Sequence, residues 1–162
     1  MIRRTSCLLM LTTSLASCGK AVSDKDVHWL SVADAQQAIA TPSGSWLSEP
    51  KQNVWVDPRN SAFYNVGHIP GAINVQLSDP DGIGRLEPFG TIIVYGEGYQ
   101  SPIADAMIKA LITEGHEEVK GLELGYDGWI AAGQPLAKGS DPGRISTSTT
   151  TDRWQRVRVE QD

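Results

Sequence analysis

Cysteine is scarce in this chain of 162 residues. There are two, Cys7 and Cys18, and both lie within the first eighteen residues. From residue 19 onward the chain has no thiol. This absence excludes a disulfide within that region and any reaction there that needs a thiolate of its own. Stability must therefore come from the core alone.

The chain also lacks a long apolar run and an excess of positive charge. Its N-terminal apolar stretch, residues 7–11 continued by small residues to Leu15, is too short and too polar for a stable transmembrane helix. Without residues 1–17 the chain carries 12 basic and 19 acidic side chains, a formal charge of −7. An acidic domain does not favour a nucleic-acid partner, and we expect none.

Residue groupings for metal binding or serine hydrolysis are missing as well. His28 and His116 have no histidine or carboxylate partner at metal-ligand spacing, so zinc is not expected. Ser101 does not lie in a Gly-x-Ser-x-Gly elbow, which disfavours a serine hydrolase. We expect neither a metal nor a cofactor.

The chain begins with the pattern of an export signal. Arg3 and Arg4 precede the apolar stretch, as in the charged and hydrophobic regions of a bacterial signal peptide. Residues 15–18, Leu-Ala-Ser-Cys, resemble the lipobox of bacterial lipoproteins. The resemblance implies a signal peptide over residues 1–17 and lipidation at Cys18. An ordinary secretory signal and an uncleaved N-terminal anchor are the alternatives.

Lipidation at Cys18 would attach the protein to a membrane. Each buried methylene contributes about 0.8 kcal/mol, so several acyl chains hold a soluble domain firmly on a bilayer. We therefore expect a membrane-anchored lipoprotein of the bacterial cell envelope that faces the periplasm. In organisms that sort lipoproteins by the residue after the cysteine, Gly19 implies delivery to the outer membrane.

The composition predicts one domain between two polar segments. Residues 18–27 are predicted to form a tether, and residues 28–137 the domain. Residues 138–162 are rich in Gly, Ser, Thr and charge, and are predicted to be a disordered tail. An edge strand at residues 154–159 is the alternative for part of that tail.

Strands and helices alternate along the predicted domain. Predicted strands are residues 28–30, 54–56, 72–75, 91–95 and 119–122. Predicted helices are residues 32–40 with Ser31 as N-cap, a short helix to about Val66 that is capped by Asn60 or Ser61, and residues 101–114 and 126–132. Residues 78–88 are predicted to be a turn-rich connection. The alternation favours an α/β fold with a mainly parallel central sheet flanked by helices, whose ligand sites lie at the carboxyl ends of the strands.

Three segments carry a family resemblance. Residues 54–59 form a strand that ends in Asp57 and Arg59, and residues 67–74 read Gly-His-Ile-Pro-Gly-Ala-Ile-Asn. The closing segment, residues 121–135, holds Gly125, Tyr126, Trp129, Gly133 and Pro135. Together these segments resemble the rhodanese-like domain family over about residues 29–137. The resemblance implies a three-layer rhodanese-like fold and, in active members, sulfur transfer through a cysteine persulfide.

The chain departs from the family at the nucleophile. Active members carry a Cys-x-x-Gly-x-Arg-Ser loop, whereas residues 95–101 here read Tyr-Gly-Glu-Gly-Tyr-Gln-Ser. Alignment on Ser101 places Tyr95 at the cysteine position, and alignment on the preceding strand places Gly96 there with a loop one residue shorter. Neither supplies a thiolate, and a phenol with a pKa near 10 is a poor nucleophile toward sulfur.

This loop is the candidate ligand site. It comprises Tyr95, Gly96, Glu97, Gly98, Tyr99, Gln100 and Ser101. A glycine-rich turn that enters a helix N-terminus makes a weak anion site, which the charge of Glu97 opposes. A turn that merely connects strand to helix is the alternative. Leu124 replaces the first of two glycines that the family usually has in its closing segment, which implies a stiffer or tilted turn there.

The resemblance implies a supporting role for Asp57, Arg59 and His68. Asp57 and Arg59 are expected to stabilise the loop through an ion pair and hydrogen bonds. His68 is expected to lie in a structural turn. We assign no catalytic residue.

The first hypothesis for function is therefore a binding role. We expect a lipid-anchored, catalytically inactive rhodanese-like module that binds a protein or a small anion through the loop. The enzyme alternative is a thiosulfate or persulfide sulfurtransferase, or a related phosphatase-like activity, that uses an unrecognised or partner-supplied thiol. A third possibility is a structural or interaction role with a collapsed loop pocket.

Overall fold

The computed structural model describes residues 22–44 and 49–140. Cys7, Cys18, Trp46 and residues 141–162 lie outside the described residues. The predictions of a leader, of lipidation at Cys18 and of a disordered tail or edge strand beyond residue 140 therefore stay predictions.

A parallel sheet of five strands forms the centre of the protein, with the spatial order β1-β5-β4-β2-β3. The strands are β1 (Trp29–Leu30), β2 (Val54–Asp57), β3 (Ile73–Asn74), β4 (Ile92–Val94) and β5 (Val119–Leu122). The helices are α1 (Val32–Ala40), α2 (Ser61–Val66), α3 (Pro80–Gly84), α4 (Pro102–Thr113) and α5 (Gly125–Ala131). The predicted α/β fold with a parallel sheet is confirmed.

The central strands bury both of their faces. Val54 and Val56 of β2 pack into one core cluster with Met107 and Leu111 of α4, while Trp55 enters a second cluster with α1, α2 and α5. Successive side chains of a strand point to opposite faces, so an apolar run such as Val-Trp-Val feeds both cores. Helices thus cover the sheet on both sides, which gives three layers.

The helix starts follow from capping. Ser31 caps α1 by accepting a hydrogen bond from the amide of Asp34, and Asn60 caps α2 through the amide of Ala62. Both side chains satisfy amides that have no partner within the helix. The prediction of Ser31 as the cap of α1 is confirmed, and Asn60 rather than Ser61 caps α2.

Two stretches differ from the sequence-based expectation. The predicted turn-rich connection at residues 78–88 contains the short helix α3, because Asp79 caps it and Pro80 suits its first turn. Asp24–Asp26 form a 3₁₀ turn, Asp24 pairs with Lys109 of α4, and Val27 is buried in the core. The last residues of the predicted tether therefore belong to the packed domain.

Among the described residues, no helix is long and apolar enough to cross a membrane.

Candidate functional site

The candidate loop lies at the carboxyl ends of the two central strands. β2 pairs with β4 through Val56 and Val94, so Asp57 and Tyr95 emerge side by side where these strands end. The 95–101 loop then leads into α4, whose first residue is Pro102. This is the edge at which parallel α/β sheets carry their ligand sites.

Arg59 is the centre of the polar network beneath the loop. Its Nη2 donates to Oδ2 of Asp57 at 2.7 Å and to the carbonyl oxygen of Gly67 at 2.9 Å. Its Nε donates to both carboxylate oxygens of Asp57, at 3.0 and 3.2 Å. Asp57 is fully buried and Arg59 is 5% exposed. A buried pair with this many hydrogen bonds fixes the geometry of the segment that follows β2.

The guanidinium of Arg59 is tied to the rest of the site as well. It lies 4.1 Å from the ring centroid of Tyr126 and 5.6 Å from that of Tyr95. Burial lowers the pKa of Arg59, but its hydrogen bonds and charge interaction with Asp57, helped by Glu97, raise the pKa above its ordinary value. The group stays a cation at every accessible pH.

Glu97 supplies the second carboxylate around Arg59. Its Oε2 accepts a hydrogen bond from Nη1 of Arg59 at 3.2 Å, and its side chain is 57% exposed. The loop thus brings its own negative charge to the outer nitrogen of the arginine. With Asp57 on the inner side, the cation is already balanced without a bound anion.

Tyr95, one of the two residues that align with the family cysteine, lies under the loop. Its side chain is fully buried, and its hydroxyl oxygen accepts a hydrogen bond from the amide of Ile69 at 3.1 Å. Burial, and next the negative charge of Asp57, raise the pKa of Tyr95. Its phenol is therefore neutral and faces the core, where no substrate in solution reaches it.

Gly96, the other residue that aligns with the cysteine, has no room for a side chain. A Cβ atom built there would lie 2.2 Å from Oγ and 2.3 Å from Cβ of Ser101. Ser101 is itself buried at the start of α4. The nucleophile position of the loop is thus closed in this conformation, in addition to lacking a thiol.

The loop is held by α5 through backbone contacts. The carbonyl oxygens of Gly96 and Glu97 accept hydrogen bonds from the amides of Tyr126 and Asp127 at 2.9 and 2.8 Å. These are first-turn amides of α5, which a helix must satisfy from outside itself. Gly125 has φ of +55°, and a Cβ there would lie 2.7 Å from the carbonyl oxygen of Gly96, so only glycine allows this approach.

The contacts of the 67–74 segment stabilise the end of β2 and the turn before β3. Asn74 donates to the carbonyl oxygens of Asp57 and Arg59, both at 2.8 Å, and so clamps the end of β2. Gly67 leaves space for the ring of Tyr126, whose hydroxyl would lie 2.2 Å from an added Cβ. Gly71 takes φ of +82° in the turn before β3.

His68 is fully buried and stacked on Tyr64, with ring centroids 3.8 Å apart. Its Nδ1 lies 2.9 Å from the carbonyl oxygen of Tyr64, and its Nε2 has no hydrogen-bond partner within the described residues. Its backbone exchanges two hydrogen bonds with Ala137. A side chain so placed supports the turn and does not reach a ligand in solution.

The structure brings Asp57, Arg59, Tyr95, Gly96 and Glu97 together. It places Tyr99 on the surface, 66% exposed, and Gln100 at φ of +40°, with its amide donating to the carbonyl oxygen of Glu123 at 2.7 Å.

Two contacts of Arg59 were not predicted from the sequence: the stacking of Tyr126 on its guanidinium and its ion pair with Glu97. Within the described residues, no three side chains are grouped to hold a metal ion.

The rhodanese-like domain family matches residues 43–132, more than half of the chain. The chain belongs to the rhodanese-like domain family.

Two curated relatives are similar to this chain in sequence. A putative thiosulfate sulfurtransferase of Synechococcus elongatus is 30% identical over 138 residues, which span 68% of this chain and 42% of the relative. An HTH-type transcriptional regulator of Mycobacterium tuberculosis is 33% identical over 89 residues, which span 54% of this chain and 39% of the relative. The chain thus spans about two fifths of the length of each.

A crystal structure of a Bacillus halodurans protein shares the fold. The similarity has a TM-score of 0.56 at 20% sequence identity, and covers 81% of this chain and 91% of that one.

Proposed function

We propose that the protein is a lipid-anchored, catalytically inactive rhodanese-like domain of the bacterial cell envelope that binds a partner protein with the face around its 95–101 loop. One observation carries the proposal. The family's nucleophile position holds either a buried tyrosine or a glycine with no room for a side chain, in a region without any thiol. Sulfur transfer by the family route needs a thiolate at that place.

The choice of a protein over a small anion rests on charge. The cation beneath the loop is Arg59, and the carboxylates of Asp57 and Glu97 already contact it. A small anion would have to displace Glu97, against the further charge of Asp127, whose Oδ2 would lie 3.2 Å from a Cβ on Gly98. The site therefore disfavours free anions.

The loop face also offers apolar surface. Tyr99, Ile103 and Leu124 are large apolar side chains that stay exposed around the loop. Aromatic and aliphatic anchors of this kind, beside the carboxylates of Glu97 and Asp127, suit a partner segment that carries both basic and apolar residues. Leu124 stands where the family usually has glycine, so part of this surface is a departure from the family.

The envelope location rests on the leader, which resembles a lipoprotein signal with Cys18 as the lipidated residue. A membrane anchor would confine the loop face to partners at the same surface.

The second candidate is a thiosulfate or persulfide sulfurtransferase that works with a partner-supplied thiol. The putative thiosulfate sulfurtransferase among its relatives favours it. In that case a thiolate of the partner would attack the sulfane sulfur of the donor, whose S–S bond would break to release sulfite from thiosulfate or a thiolate from a persulfide. This domain would only position the donor.

Intact-mass measurement after incubation with excess thiosulfate tests the proposal. The full chain in detergent, with Cys7 and Cys18 both replaced by serine, should show no added sulfur atom, while an active rhodanese treated alongside gains one. A sulfur adduct that cyanide removes from this thiol-free chain would contradict the proposal.

A further inference from the structure

A second exposed apolar surface lies away from the loop, on α2. Phe63 and Val66 are 61% and 73% exposed, and they lie one turn apart on the same helix face. The side chain of Leu136, also exposed, lies near Gly67, the residue that follows Val66, since its Cδ1 would be 3.8 Å from a Cβ on Gly67. We call Phe63, Val66 and Leu136 the α2 surface.

The chain is fixed to this surface just before residue 141. His68 and Ala137 exchange backbone hydrogen bonds of 3.0 and 2.9 Å, and the amide of Gly139 donates to the carbonyl oxygen of Asn65 at 2.9 Å. Asn65 directly precedes Val66 in α2. Residues 141–162 therefore start next to the α2 surface, and any segment of them has a high effective concentration there.

Residues 153–159 have the composition to cover this surface. They read Arg-Trp-Gln-Arg-Val-Arg-Val, with three arginines, one tryptophan and two valines. The described residues carry fifteen acidic and seven basic side chains, so the domain attracts the three arginines, while Asp152, Glu160 and Asp162 beside them weaken this attraction. Residues 141–152 can span about 40 Å when extended, more than the α2 surface requires.

We propose that residues 153–159 dock on the α2 surface of their own domain. Trp154 and the valines cover Phe63, Val66 and Leu136, and the arginines face the acidic domain. The docked segment thereby hides apolar area that would otherwise promote contact between copies. This inference does not rest on the function proposed for the loop, since the two surfaces use different residues.

Limited proteolysis of the full chain tests the proposal. A protease that cleaves after arginine should cut quickly at Arg144, which precedes the docked segment, and at least five-fold more slowly at Arg156 and Arg158. In Val66→Asp, cutting at Arg156 and Arg158 should rise to the rate at Arg144. Leu77→Asp, at an exposed leucine outside the α2 surface, should leave the native pattern.

A second variant keeps the test independent of domain stability. Trp154→Ser changes only the segment, and it should release Arg156 and Arg158 as Val66→Asp does, while cleavage within the domain stays as slow as in the native chain. Equal cleavage at all three arginines in the native chain would overturn the proposal. So would protection that disappears together with a dimer in size-exclusion chromatography, because a second copy would then be the occupant.

Discussion

Oε2 of Glu97 accepts a hydrogen bond from Nη1 of Arg59 at 3.2 Å, while Asp57 holds the other side of the same guanidinium. The loop that would bind an anionic sulfur donor in an active rhodanese-like domain thus neutralises the cation beneath it with its own carboxylate. The missing thiol and the occupied charge site are the two separate reasons for our proposal that this loop does not transfer sulfur from thiosulfate.

Glu97→Gln should create anion binding. The neutral amide of this variant leaves Nη1 of Arg59 without a charged partner, so sulfate or thiosulfate can approach it. At an anion concentration several times the dissociation constant, binding adds about 1 kcal/mol and raises the melting temperature by about 4 °C. Thermal unfolding against sulfate concentration measures this, and the native chain should respond weakly.

Glu49→Gln is the matched control, because it removes one negative charge at an exposed position outside the site. The melting temperature of Glu49→Gln should respond to sulfate as weakly as that of the native chain. An equal sulfate response from all three proteins would show that the effect is general screening and would count against the role given to Glu97.

Gly96→Ala should destabilise the domain by about 1–3 kcal/mol, since the new methyl group meets the side chain of Ser101 and a packed site resists extra volume. Gly84→Ala, in α3, meets no atom within 4 Å and should be neutral or slightly stabilising. Urea unfolding of both variants gives the comparison. If Gly96→Ala is as stable as Gly84→Ala, the loop has room for a side chain, and the account of a closed nucleophile position is wrong.

The raised pKa of Tyr95 predicts a specific loss of stability in alkali. Above pH 10 the unfolded chain releases the phenol proton and the folded chain keeps it, so the unfolded state binds fewer protons and the free energy of unfolding falls as pH rises. The free energy of unfolding is unaffected by this titration below about pH 10. Above pH 10 it declines by about 1.4 kcal/mol per pH unit.

Tyr95→Phe should remove that slope, although it costs about 1–2 kcal/mol at neutral pH because the buried amide of Ile69 loses its acceptor. Tyr99→Phe, at the exposed tyrosine of the same loop, should keep the native slope. Urea unfolding from about pH 9 to about pH 11, which brackets the ordinary pKa of a phenol, measures the slope of the free energy of unfolding against pH for each variant. Identical slopes in the native chain and Tyr95→Phe would mean that Tyr95 titrates normally.

Much of the fold was readable from the sequence because its signals are local. The alternation of apolar strands and helices, Ser31 as a cap and the apolar spacing of α4 each depend on a few neighbouring residues. The helix α3 was missed because Pro80, Gly82 and Gly84 read as turn residues, although Asp79 and Pro80 also suit a helix start.

The site was predictable only where the family pattern specifies it. The family resemblance implied the pairing of Asp57 with Arg59, and the structure shows that ion pair. The contact of Glu97 with Arg59 joins residues 38 positions apart, and the stacking of Tyr126 on Arg59 joins more distant ones. Such contacts depend on how the loop folds over the strand ends, and local sequence patterns do not predict that conformation.

Cys18→Ser should leave an unlipidated precursor of higher mass, since the lipobox cysteine carries the acyl groups and marks the cleavage point. Metabolic labelling with a fatty acid and intact-mass analysis in a bacterial host check this. Cys7→Ser is the control and should be labelled and processed like the native chain. Normal acyl labelling of Cys18→Ser would contradict the lipoprotein assignment.

Thiosulfate-to-cyanide sulfur transfer by the full chain in detergent, measured as thiocyanate formed, tests directly whether the domain is catalytically inactive. The assay includes the variant with both Cys7 and Cys18 replaced by serine, and an active rhodanese as positive control. We expect no thiocyanate above the protein-free blank from either the native chain or the variant. Thiocyanate production by the thiol-free variant, in proportion to its concentration, would contradict the account and require a nucleophile other than cysteine.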